Sequence, residues 1–137
     1  MITNTDIAKY FYNKCKRFSV PTYMPWTLPK GDLPDERITI VVHDIAEGGA
    51  FWDRCIVEVN WMLTDIDGCA NVGLDDVERR MVSLYKGNGI IDGTTFKYEK
   101  MSATTLEDKD FNSHYHNLKI LFNIQRVNNY GNTDFCD

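Results

Sequence analysis

His114 and His116 stand two residues apart in the run His-Tyr-His-Asn-Leu-Lys-Ile. On a strand, residues at that spacing point the same way. With His43 or a carboxylate, the pair offers imidazole ligands to a metal ion. No further ligand stands at a defining distance along the chain, so His114 and His116 are weak metal candidates. A hydrolase built on His114 with Asp108 or Asp110 lacks a nucleophile motif such as G-x-S-x-G. The run Thr-Asp-Ile-Asp-Gly at 64–68 has the look of a calcium loop. An EF-hand needs glycine sixth and glutamate twelfth, whereas Gly68 comes fourth from Asp65 and the twelfth residue is Asp76. It reads as an Asp/Gly turn. Gly87, Gly89 and Gly93 match neither a dinucleotide fingerprint nor a P-loop. Cys15, Cys55, Cys69 and Cys136 form no C-x-x-C pair, and the first two fit apolar stripes as small core residues. The chain is therefore expected to be no enzyme and to carry no cofactor.

Aromatic residues give a different lead. Val20 to Pro34 holds all four prolines together with Tyr23, Met24 and Trp26. Proline fixes φ and removes a donor, so this stretch should be extended and irregular. A polar linker has no need of such side chains; they pack back on the domain or meet a partner. Trp61 reads as core, whereas Trp52 falls on a wetter strand face. Tyr23, Met24, Trp26 and Trp52 are the candidate interaction surface.

These residues belong to a 137-residue chain with net charge −5. That length suits one domain with an adequate core. Basic residues are scattered, so the stripe of a nucleic-acid reader is missing and specific nucleic-acid binding is not expected. No apolar run is long enough for a membrane span or a signal peptide, which points to a cytoplasmic protein.

Periodicity predicts the elements. Ile7, Ala8, Phe11, Tyr12, Cys15 and Phe18 recur at helical spacing, giving a helix over about 4–17. Arg37–His43 reads as a strand. Phe51–Thr64 reads as a longer one, with Cys55, Val57, Val59, Trp61 and Leu63 on a dry face. Leu74–Lys86 reads as a second helix, stopped by Gly87. Residues 87–93 carry two turn signals, Thr94–Met101 is a strand, and 103–112 an exposed loop. His114–Val127 is the last strand, and 128–137 a flexible tail. The order α-β-β-α-β-β predicts an α+β two-layer sandwich over 1–127, its mostly antiparallel sheet carrying both helices on one face. Two strands of fourteen residues each span about 43 Å, against about 37 Å for a compact domain of this size. They must bend, bulge or project toward neighbouring copies.

Over residues 4 to 127 this pattern resembles the tail-terminator (tail-completion) proteins of long-tailed phages and prophages. The resemblance rests on the leading helix, the proline-bearing loop and the strand Trp-Asp-Arg-Cys-Ile-Val-Glu-Val at 52–59. It rests also on the helix Leu-x-x-Val-Glu-Arg-Arg-Met at 74–81, an Asp-Gly turn, and the strand opening His-Tyr-His-Asn-Leu-Lys-Ile at 114. The loop at 20–34 departs from the family in its richness in proline and aromatics. The resemblance implies a structural virion protein that forms a ring, usually six-fold. Its partners would be other copies of itself, the tail-tube protein and the head–tail connector. It would be made in the host cytoplasm and end at the tail–head junction. An alternative is a small ligand- or peptide-binding α+β module with Trp52 and the Tyr23–Trp26 loop as its mouth. A metal-dependent hydrolase at His114 and His116 is the third reading.

Overall fold

Helix α1 (Asn4–Cys15) starts where Thr3 accepts the Asp6 amide at 3.1 Å while the Asp6 carboxylate accepts the Thr3 amide at 3.0 Å. This reciprocal cap satisfies two amides that a helix start leaves open. A single turn of tighter helix (Lys16–Phe18) follows, and Ser19 closes it in the left-handed region at φ 58°. The structure is a computed structural model, and it describes residues 1–126. The expected flexible tail at 128–137 lies outside the described residues.

Seven strands follow: β1 (Thr22–Tyr23), β2 (Glu36–Val42), β3 (Ala46–Glu47), β4 (Trp52–Thr64), β5 (Lys86–Ile91), β6 (Thr94–Asp108) and β7 (Ser113–Gln125). Helix α2 (Leu74–Met81) lies between β4 and β5. The spatial order is β1-β2-β4-β7-β6-β5, with β3 beside the start of β4. All pairings are antiparallel except β1 with β2, which is parallel. No helix among the described residues is long and apolar enough to cross a membrane.

The expected two-layer α+β sandwich with a mostly antiparallel sheet of four strands is overturned. Strand accounts for 48% of the described residues, and the sheet is mixed and curls into a half-barrel with two short helices. Three strands escaped the sequence reading, and β5 shows why. Its glycines look like turn punctuation, yet Gly87 and Gly89 sit beneath aromatic rings of β6. A Cβ at Gly87 would stand 2.5 Å from the Tyr98 hydroxyl, and one at Gly89 2.8 Å from Phe96 Cζ. The rings lie across the backbone, so only glycine fits, and the covered segment stays in the sheet. Strand β6 likewise runs seven residues past the expected end at Met101, through the segment predicted as a loop. A register shift between Lys100 and Ser102 accommodates its length.

The face of the sheet toward the helices is dry. Ile38, Ile40, Cys55, Val57, Val59, Trp61, Leu118, Ile120 and Phe122 are buried there. Phe11 of α1 meets Tyr98 and Phe122 edge-on, with ring centroids 5.0 and 5.9 Å away. Removing such a ring from a packed core costs about 3–5 kcal/mol. Leu74, Val77 and Met81 of α2 are buried too. Trp61 joins both layers: Phe18 stacks obliquely at 4.9 Å, the Arg80 guanidinium lies over the indole, and Nε1 donates to Glu36 at 2.8 Å.

Candidate functional site

The proline-bearing loop folds over the outer face of β2 and forms one side of an apolar groove of about 270 Å³. Met24, Leu28 and Leu33 line it from the loop, Val41 and Met62 from the sheet, and Phe111 from the β6–β7 turn. Leu28, Val41 and Phe111 are exposed, so the rim is an apolar patch. Arg37 lies under this patch and is only 3% exposed. Its Nη1 donates to the Pro34 carbonyl at 3.0 Å, and its Nη2 is buried without an acceptor among the described residues. Burial draws the guanidinium below its usual range, against the pull of Asp108, Tyr23 and Asp35.

The four candidate interaction residues do not converge. Met24 lines the groove, Trp26 is exposed in the same loop, and Tyr23 is half-buried in β1 opposite Thr39. Trp52 is at the other end of β4, opposite Gln125, with the Lys97 ammonium 4.5 Å above its ring. A single mouth built from Trp52 and the Tyr23–Trp26 loop is therefore not what the fold makes.

The histidines also separate. His116 faces the core opposite Trp61, is 1% exposed, and both ring nitrogens lack partners among the described residues. Burial lowers its pKa, opposed by Glu78. His43 lies on the outer face and meets Glu58 at 2.6 Å. Asn117 donates to Glu58 at 2.9 Å and to Asn60 at 2.6 Å. Burial pushes Glu58 up, but these bonds outweigh it and hold the carboxyl below its usual range. His114 is joined instead by Asp65, 2.7 Å from Nδ1, and by Glu107, whose ligand-type atom lies within 4.8 Å of theirs. Cross-strand register explains the meeting, since Leu63 and Glu107 are the residues opposite His114 on either side. Sequence spacing alone could not show it, because the ligands come from three separate segments.

The longest open feature is an edge. β5 pairs with β6 only as far as Glu99, so Lys100–Asp108 has β7 on one side and no strand on the other among the described residues. Every residue from Met101 to Glu107 except Ala103 is exposed, and Met101–Leu106 carries no charge. At the opposite end of the sheet β1 pairs only with Ile38 and Thr39, so Ile40–Val42 has no second strand partner among the described residues.

No protein-family model matches the chain, and no curated protein is similar to it. One solved structure, whose name states no function, is similar over 91% of this chain and 93% of its own, at 14% identity and a TM-score of 0.56. That likeness concerns the fold alone.

Proposed function

We propose that the chain is a structural virion-assembly protein, a tail terminator whose copies form a ring, six-fold in the expected case. The ring caps the tail tube and receives the head-side connector. The identification as a tail terminator rests on the sequence resemblance. The observation that carries self-association is the open edge of β6. Nine residues of strand, about 27 Å long, find no strand partner for their outward amides and carbonyls among the described residues. A strand from a neighbouring copy satisfies those groups together. Soluble proteins usually blunt such edges with charge or proline, and Met101–Leu106 has neither. The uncovered part of β2 is a second, different edge. Contact between unlike edges is head-to-tail, the type of contact that closes into rings. The apolar rim at Leu28, Val41 and Phe111 adjoins that second edge and extends the contact. A net charge of −5 keeps free copies apart and gives DNA passing through the ring nothing to grip. Sedimentation velocity over a wide concentration range, with and without purified tail tubes, tests this. A ring at high concentration or on tube ends supports it; a monomer under all conditions, leaving tubes uncapped, refutes it.

The groove over Arg37 favours a second reading, a binding module for a small apolar ligand or peptide that supplies an acceptor to Nη2. Its volume is near the lower limit for ligand pockets. A screen of short carboxylates and apolar peptides by thermal shift, repeated on Arg37→Met, decides it.

A further inference from the structure

We propose that Asp65, Glu107 and His114 form a binding site for a divalent first-row metal ion of the zinc type. The site is independent of the ring reading. Three segments contribute: the chain just past β4, the end of β6 and the start of β7. Their donor atoms all lie within 4.8 Å of one another. In a tetrahedral zinc site with bonds of about 2.1 Å, donors stand about 3.4 Å apart. Small side-chain rotations bring the three donors to that spacing, including opening of the 2.7 Å contact between His114 and Asp65.

Charge gives a second, separate argument. The Asp65 side chain is 4% exposed, and its only side-chain partner among the described residues is the His114 imidazole. Glu107 has no Lys or Arg within ion-pair distance among the described residues. Two carboxylates, one of them buried, thus share one imidazole with no Lys or Arg beside them among the described residues, an arrangement that a divalent cation would neutralise. A cleft of about 360 Å³ opens at Asp65; Asp35 and Glu36 give it an acidic side for an entering ion, and Leu63 and Ile66 line the rest with Thr64 and Asn71. One imidazole nitrogen with two carboxylate oxygens and no thiolate suits zinc, cobalt or manganese. Calcium takes oxygen ligands, and thiophilic ions want sulfur. Bound there, the ion ties the β6–β7 turn to the loop after β4.

The full chain, stripped with chelator and titrated with zinc chloride by calorimetry and equilibrium dialysis, tests the proposal. One zinc per chain is expected, with a rise in melting temperature. His114→Ala and Glu107→Gln should each weaken binding at least tenfold. His43→Asn and the double variant Cys69→Ser/Cys136→Ser should leave it unchanged. Glu107 is exposed, so Glu107→Gln is expected to fold even where His114→Ala does not, and circular dichroism of each variant checks this. Cobalt(II) should give a d–d spectrum without a thiolate charge-transfer band. Absence of zinc binding, undiminished binding in Glu107→Gln, or a thiolate band would overturn the proposal.

Discussion

Replacing Ser102 and Thr104 together by lysine should weaken the proposed self-association about a hundredfold without unfolding the protomer. Both side chains are exposed and lie on the open stretch of β6. Substitutions at such surface positions typically change stability by about 0.5 kcal/mol or less. The assembled contact is more sensitive. A nine-residue strand presents roughly half its residues outward, so a docked neighbour makes about eight to ten backbone hydrogen bonds. At about 0.5–1.5 kcal/mol net each, these give roughly 4–15 kcal/mol. Association costs a similar amount, about 4–15 kcal/mol. The surplus is small, and losses of about 1–1.5 kcal/mol per buried lysine weaken each contact roughly a hundredfold. Sedimentation velocity of wild type and variant at matched concentrations reads this directly. The variant should need about a hundredfold more protein to assemble, whereas Ile90→Lys, exposed on β5 opposite Thr95 and outside the open stretch, should assemble like wild type. Wild-type assembly by the double-lysine variant would refute the edge as the contact.

Two further predictions concern the sheet interior and its outer face. His116→Leu should hold or raise stability by about 1 kcal/mol, because an apolar side chain of similar size has no nitrogens to leave unpaired. That is about 3 °C in melting temperature; a loss above 1 kcal/mol in urea unfolding would show a hidden partner. Glu58→Gln should cost about 1 kcal/mol at pH 7, a figure reduced because the His43 partner is half exposed. The folded carboxyl titrates below its unfolded value of about 4.3, so the unfolded chain binds the proton first. The stabilisation is present above that pH and drains as pH falls through the folded value. The gap between wild type and Glu58→Gln should therefore narrow as pH falls below the unfolded value, and a constant gap would contradict the assignment.

What the sequence disclosed depended on how local its causes were. Helix α1 was legible because its apolar stripe, Ile7 to Phe18, is a local pattern of the segment itself. The dry face of β4 was legible because alternation is a property of the strand itself, and Cys15 and Cys55 are buried as their stripes implied. Strand β5 was not, because Gly87 and Gly89 owe their place to rings of Tyr98 and Phe96 from the next strand. The polar segment after Met101 looked like a loop because a strand with an open edge needs few apolar residues. Those two misjudgements together turned a curled, strand-rich sheet into an expected sandwich. At the candidate sites the same limit applies. His114 was singled out, but its partners Asp65 and Glu107 are set by register across β4, β7 and β6. The pairing of His114 with His116 failed although both occupy even positions of one strand. His116 is sealed under the helices, while His114 lies at the sheet's end.

Capping of a growing tail tube is the most direct test of the central claim. Tube protein polymerised alone gives tubes of uncontrolled length; added at rising ratios, this chain should shorten them and leave a ring visible at one end by negative-stain microscopy. Tubes of unchanged length with bare ends, in the presence of folded protein at high excess, would contradict the account.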